Sequence, residues 1–186
     1  VRPGSPFLFK IAASGEKPLK YSATGLPKGL KLDRSTGIIT GTISKAGEYN
    51  VKLAVKNKKG QARKDFTIKC GSLLALTPPM GWNSWNCWGL SVSTDKVKSS
   101  AQALIDKGLI AHGWTYINID DGWEAPKRNE QGEIVTNEKF PDMKALGDWL
   151  HGKGLKFGIY SSPGPLTCGG YLGSYQHEKQ DAQSYN

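Results

Sequence analysis

The chain has 186 residues, a formal net charge of +9 and 38% apolar residues, which suits one medium domain or two small ones at roughly 100–200 residues per domain. An aromatic share of 10% and 23 glycines exclude a disordered or charge-dominated chain. No apolar run approaches the roughly 18 residues of a membrane span, and residues 1–10 lack the basic-then-apolar pattern of a signal segment.

The charge is uneven. Residues 1–71 carry 15 Lys and Arg against 4 Asp and Glu, residues 72–186 carry 10 against 12, and all six tryptophans lie in the second part. Two compositions this different predict two domains, 1–71 and 72–186, joined near Cys70-Gly71-Ser72 and just before Pro78-Pro79. Three cysteines, Cys70, Cys87 and Cys168, are too few for a disulfide scaffold, and their odd number leaves at least one thiol without an internal partner.

In the first part the hydrophobic period is two. Phe7, Phe9 and Ile11 alternate, which predicts a strand. Leu30 and Leu32 precede a turn at Asp33-Arg34-Ser35-Thr36-Gly37, after which Ile38 and Ile39 lead to Gly41. Tyr49, Val51, Leu53 and Val55 alternate with polar or small neighbours. The turn Asn57-Lys58-Lys59-Gly60 then hands over to Phe66, Ile68 and Cys70. Short strands separated by turn signals predict an all-β sandwich. The lysines at 56–59 fall on a hairpin tip, and the aromatics Phe7, Phe9, Tyr49 and Phe66 face the expected core. A nucleic-acid platform needs exposed aromatics beside its positive charge, so no nucleic-acid partner is expected. A solvated basic surface is the simpler account, and attraction to acidic polysaccharide or cell-surface anions is the sharper one.

From residue 80 the pattern changes. Met80-Gly81-Trp82-Asn83-Ser84-Trp85 predicts a short strand ending in polar groups. Ser93 or Thr94 can cap a helix with Asp95 in its first turn, and Val97, Ala101, Leu104, Ile105 and Gly108 keep helical spacing. Trp114-Thr115-Tyr116-Ile117-Asn118-Ile119 predicts a second strand. A second helix follows from about Met143 to Leu150, ended by Gly152 or Gly154. Leu155-Lys156-Phe157-Gly158-Ile159-Tyr160 predicts a third strand, and residues 180–186 the start of a third helix. Strand and helix in alternation predict a parallel sheet with right-handed crossovers. Trp85, Asp120-Asp121, Tyr160 and Ser161 gather just past the strand ends, where a (β/α)8 barrel or an open parallel sheet carries its ligand. No Gly-x-Gly-x-x-Gly or phosphate loop points to a nucleotide, and His112, His151 and His177 have no metal-ligand spacing. Alone, Asp120-Asp121-Gly122 reads as a turn.

Two resemblances add to this. Gly25-Leu26-Pro27-Lys28-Gly29-Leu30, Gly37-Ile38-Ile39-Thr40-Gly41-Thr42 and Gly47-Glu48-Tyr49 resemble the immunoglobulin-like modules of bacterial surface and secreted enzymes, which implies a spacer or packing module. Thr77-Pro78-Pro79-Met80-Gly81-Trp82-Asn83-Ser84-Trp85 resembles the opening of family 27 glycoside hydrolases, the α-galactosidases and α-N-acetylgalactosaminidases. Ile119-Asp120-Asp121-Gly122-Trp123, Phe140-Pro141-Asp142-Met143-Lys144, Gly154-Leu155-Lys156-Phe157-Gly158-Ile159-Tyr160 and Thr167-Cys168-Gly169-Gly170-Tyr171 are similar to later motifs of that family, in the same order.

The second resemblance implies that Asp120 and Asp121 accept hydrogen bonds from the C4 and C6 hydroxyls of galactose, for which carboxylates suit because charge-assisted hydrogen bonds are strong. It implies that Trp85 packs on the apolar side of the sugar and that Tyr160 and Cys168 line the pocket. It implies pairing of Cys168 with a cysteine just after the nucleophile strand. Many relatives have a cysteine where this chain has Gly122, so Cys87 lacks that partner. For Trp82 and Trp123 core packing is the expectation.

A retaining glycosidase needs two carboxylates about 5 Å apart across the glycosidic bond. In the resembled family the nucleophile is an aspartate ending the fourth strand, and the acid/base an aspartate after the sixth. Both are expected beyond residue 186, so no catalytic residue is assigned in this chain, and the chain alone is expected to be inactive. A barrel takes about 250 residues, so the rest of it is expected in a longer chain or a partner. The expected activity of the whole is hydrolysis of terminal α-linked galactose by double displacement, without metal or cofactor. The location implied by the family is secreted or periplasmic. Close alternatives are α-N-acetylgalactosamine or β-L-arabinopyranose as the sugar, and a non-catalytic carbohydrate-binding or surface-adhesion protein.

Overall fold

The computed structural model describes residues 1–73 and 75–185, so Asn186, at the end of the expected third helix, lies outside the described residues. The chain divides into two compact units, Val1–Met80 with Lys107–Thr115, and Gly81–Asp106 with Tyr116–Asn186.

The first unit holds six strands: β1 (Pro6–Lys10), β2 (Lys20–Thr24), β3 (Leu30–Leu32), β4 (Ile38–Thr42), β5 (Gly47–Asn57) and β6 (Gly60–Cys70). They form two three-stranded antiparallel sheets, ordered β1-β4-β3 and β2-β5-β6. The predicted alternation fixes which face is buried. Ile39 of one sheet and Val51, Leu53, Ile68 and Cys70 of the other share one core with Tyr21 and Leu30. Phe9 and Phe66 stack beside it with ring centroids 4.3 Å apart. Ile11 falls one residue past β1 but keeps its place in that core. The turn after β3 is built by Asp33, whose Oδ1 accepts the backbone N–H groups of Ser35 and Thr36 at 2.8 and 3.2 Å. These bonds and the Ser35 hydroxyl hold the carboxyl at about 2. Strand β2 is an addition to the predicted set. Its large inward residue is Tyr21, with small Ala23 next on that face, so it carries little period-two signal.

The second unit contains three parallel strands in the order β7 (Gly81–Asn83), β8 (Tyr116–Ile119) and β9 (Lys156–Ile159). Between them run α1 (Trp85–Trp88), α2 (Thr94–Asp106) and α3 (Met143–Gly152), and α4 (Glu178–Ser184) follows β9. The predicted strands are longer at their first ends than the observed ones. Helix α2 buries Val97, Ala101 and Leu104, the stripe expected from its spacing. Ser93 accepts the Lys96 N–H at a long 3.4 Å, while Thr94 turns to donate to the Lys139 carbonyl. Asp142 caps α3 by accepting the Ala145 N–H at 2.8 Å, satisfying one of the orphan donors of a helix start. That helix continues two residues past Leu150, to Gly152, and Gly154 in a left-handed conformation (φ 80°) releases the chain into β9. Helix α4 starts two residues before the expected position, at Glu178. No helix among the described residues is long and apolar enough to cross a membrane.

Candidate sugar-recognition site

Parallel register sets the geometry. Asn83 lies level with Asn118, and Asn118 with Gly158. The next residues of the three chains, Ser84 and Trp85, Asp120 and Asp121, and Tyr160, therefore leave the sheet at the same edge. Close approach depends on glycine here. A Cβ on Gly81 would run into the Tyr116 carbonyl oxygen, and one on Gly158 into the Asn118 side chain.

Asp120 is half-buried and held from three sides. Its Oδ2 accepts from Asn83 Nδ2 at 2.9 Å, its Oδ1 accepts the Asp121 N–H at 2.8 Å, and its own N–H donates to Ser84 Oγ at 2.9 Å. Ser84 is fully buried. Asn83 also accepts the Trp85 N–H through Oδ1 at 2.8 Å. One amide side chain thus orients both the carboxylate of Asp120 and the start of α1, where Trp85 is 42% exposed. A carboxylate has about four acceptor positions, so Asp120 keeps capacity for hydroxyl groups arriving from solvent.

Asp121 is different. It is 1% exposed, and its oxygens, each accepting one bond as those of Asp120 do, are covered by the loop after β9: Oδ1 accepts from Thr167 Oγ1 at 2.7 Å, Oδ2 from the Gly169 N–H at 2.6 Å. Gly169 is required, because a Cβ there would lie 2.9 Å from Asp121 Oδ2 and 2.7 Å from Leu90. Asp121 therefore moors the loop that carries Cys168. Tyr160 and Cys168 meet, hydroxyl to thiol, at 3.8 Å. That contact, then burial and the charges of Cys168 and Asp121, push the phenol above its ordinary value. Cys70, Cys87 and Cys168 are all unpaired thiols among the described residues, Cys70 buried and the other two exposed.

The structure thus brings Trp85, Asp120, Asp121, Tyr160 and Cys168 to one edge of one sheet. Trp123 is buried, as expected, and its indole N–H donates to the Tyr160 carbonyl at 2.9 Å, whereas Trp82 is only half-buried. Trp88 donates through Nε1 to Ser100 Oγ at 3.1 Å.

Asn83, Ser84, Thr167 and Glu124 carry no site assignment in the sequence alone. Glu124 is fully buried. Its Oε2 accepts the N–H groups of Gly122 and Trp123, both at 3.1 Å, and its Oε1 is buried with no partner among the described residues. Desolvation, with the Asp121 charge adding to it, outweighs those hydrogen bonds and pushes the carboxyl up to about 7. Asn137 holds the same turn by donating to the Gly122 and Glu124 carbonyls at 2.9 and 3.1 Å. No local pattern betrays Glu124, since its burial depends on residues a dozen positions away. No group of three His, Cys, Asp or Glu among the described residues is placed to hold a metal ion.

A parallel βα sheet carries a tryptophan and an aspartate pair at its carboxyl edge, where α/β folds place their ligand sites. Residues 77–186 match the melibiase family described as Alpha galactosidase A, and the chain belongs to that family. Residues 1–71 match the He_PIG family of Ig domains. The chain is 50% identical over 114 residues to Alpha-galactosidase A of Cellvibrio japonicus, covering 60% of this chain and 28% of the relative. It is 49% identical over 115 residues to Alpha-galactosidase 2 of Arabidopsis thaliana, again 60% of this chain and 29% of the relative. A Bacteroides fragilis structure, provisionally assigned as an alpha-galactosidase/melibiase, is 45% identical with a TM-score of 0.95, covering 99% of this chain and 40% of that one. The chain thus spans under a third of the length of these two curated relatives.

Proposed function

We propose that this chain is the N-terminal part of a retaining α-galactosidase that removes terminal α-linked galactose from oligo- or polysaccharides. In this reading β7, β8 and β9 with α2 and α3 belong to the first three βα units of a (β/α)8 barrel. The nucleophile and the acid/base are supplied by later strands. The observation that carries it is Asp120, held on the carboxyl edge of the sheet by Asn83 and Ser84 with acceptor capacity to spare, beside exposed Trp85. A carboxylate reading adjacent hydroxyls next to an aromatic face is a chemistry for a pyranose. Asp121 contributes mainly by placing the Cys168 loop, and Tyr160 and Cys168 close the side of the pocket. The family match to α-galactosidases supports galactose as the sugar. By analogy with that family we assign a secreted or periplasmic location.

The test is turnover of an aryl α-galactoside, with α-N-acetylgalactosaminide and β-L-arabinopyranoside in parallel. The isolated 186-residue chain should show none. A polypeptide carrying this chain and a complete barrel should cleave the α-galactoside, and Asp120→Ala there should lower kcat/KM by about a hundredfold or more, as expected when a charged hydrogen-bond acceptor of the substrate is lost. Turnover by the isolated chain overturns the assignment of the catalytic pair to later strands. Galactose binding without turnover in the complete protein favours a carbohydrate-binding protein instead.

A further inference from the structure

Two rows of the outer face of the β2-β5-β6 sheet are paired by charge. Directly opposed residues on β5 and β6 match: Lys52 meets Asp65 at 3.1 Å, and Glu48 meets Lys69 at 2.9 Å. Between these rows, Thr67 donates to Asn50 at 3.1 Å. At the hairpin end the rule breaks. Lys20 of β2 stands directly opposite Lys56 of β5, and Arg63 of β6 lies on the diagonal from Lys56. All three are exposed, and among the described residues none has an acidic partner within ion-pair distance. Neighbouring strands lie about 4.8 Å apart, and like charges directly opposite one another are destabilising. The acid nearest the hairpin tip, Glu16, is engaged by Lys58, with Lys59 at 4.0 Å.

The same end of the sandwich contains an open cavity of about 250 Å³. The residues around it include Lys56, Lys59, Asn57, Gln61, Leu19 and Val55. Asn57 is fixed there: it donates to the Glu16 carbonyl at 2.8 Å and accepts the Lys59 and Gly60 N–H groups at 2.9 and 3.1 Å. Lysine, amide-bearing and apolar residues around one open cavity suit a sugar ring bearing a carboxylate. Lys20 and Arg63 extend the positive row beyond the cavity, toward the carboxylates of neighbouring sugar units. Nucleic acid fits less well. The aromatic residue of this end, Tyr21, is buried in the core and offers no stacking face.

We infer that the N-terminal sandwich binds a carboxylated polysaccharide, a chain of uronate units, at the β5-β6 hairpin end through Lys56, Lys59 and the Lys20–Arg63 row. This site is separate from the galactose reading and does not rest on it. It makes the basic domain an anchor on acidic glycan, independent of the reaction.

The experiment titrates the purified protein with sodium polygalacturonate at low salt, using neutral galactan and a single-stranded oligonucleotide as comparisons. Polygalacturonate should bind more tightly than either, and added salt should weaken it. Lys56→Gln with Lys59→Gln should weaken it about tenfold, the size of one lost charged hydrogen bond. Lys28→Gln with Lys31→Gln removes the same charge from exposed positions of the other sheet region and should leave it nearly unchanged. Lys20→Glu is the second variant. It places a carboxylate opposite Lys56, so it should raise the unfolding temperature while lowering polygalacturonate affinity. A higher unfolding temperature with unchanged affinity overturns the proposal. So does equal weakening in both double variants, oligonucleotide binding as tight as polygalacturonate, or no polygalacturonate binding.

Discussion

Asp120 and Asp121 are neighbours in the chain and each carboxylate accepts two hydrogen bonds, but Asp120 is half-buried whereas Asp121 is 1% exposed under the loop of Thr167 and Gly169. Glu124, just beyond them, is a third carboxyl with its own consequence. Its value of about 7 stands above the ordinary 4.5. Between those two values the folded protein holds a proton that the unfolded chain has released. Stability from this group is therefore greatest below about pH 4.5, declines as pH rises toward 7, and is flat above. Glu124→Gln cannot ionise. It should match the parent near pH 4.5 and be the more stable protein at pH 8, by on the order of 2 kcal/mol. Thermal unfolding of both across pH 4.5–8 measures this, and parallel curves would reject the assignment of the raised group to Glu124. The aspartate pair was legible in the sequence because it sits in a motif directly after a strand. Glu124 was not, because its environment is made by Asn137 and by the way Trp123 turns to reach Tyr160.

At the scale of elements, long clean alternations were the easiest to read. Strands β5 and β6 carry eleven residues each, and their inward residues were identified one by one. Short pieces escaped where the apolar signal was one residue deep, as in β2. The single-turn helix Leu109–His112 also escaped, bracketed by Gly108 and Gly113 in left-handed conformation. Strand β7 has three residues and is held by backbone pairing rather than by a hydrophobic run, so its weakness can be tested. Gly81→Ala sets a methyl against the Tyr116 carbonyl and should destabilise the second unit by about 2–3 kcal/mol, a typical cost of overpacking. Asn83 and Trp85 would shift with it, so under the proposed function the same variant in a protein with a complete barrel should also lower α-galactoside turnover. An unfolding curve identical to the parent's would contradict the observed register.

At the scale of the whole chain, the charge asymmetry and the tryptophan distribution announced two compositions. The pairing that fastens the loops of the second unit had no such signal. Arg128 donates to both oxygens of Asp181 at 2.6 and 2.8 Å and to the carbonyls of Gly132 and Gly173 at 3.1 and 2.9 Å. It joins the stretch after β8, the loop after β9 and α4. Asp181 is 1% exposed, and Arg128 holds its carboxyl below the ordinary value. Its contribution is therefore present above the usual carboxylate range and fades as pH falls through the lowered one. Arg128→Met should cost about 3–5 kcal/mol, because it strands a buried carboxylate. Adding Asp181→Leu should recover much of the loss, and strictly additive losses in the double variant would show that the two side chains do not act as a pair. The partners lie 53 positions apart, beyond any local pattern.

The mooring of Asp121 also has a bearing on the order of assembly. Its two partners follow it by 46 and 48 positions, so they reach the ribosome's exit well after the strand that carries it. Local helices and hairpins form before contacts of such long separation. During synthesis, Asp121 is expected to be a solvated carboxylate on an early strand until the loop that covers it follows. Asp120 is ready sooner, since Asn83 and Ser84 precede it. The half-buried aspartate is therefore expected to be set before the loop beside it is fastened.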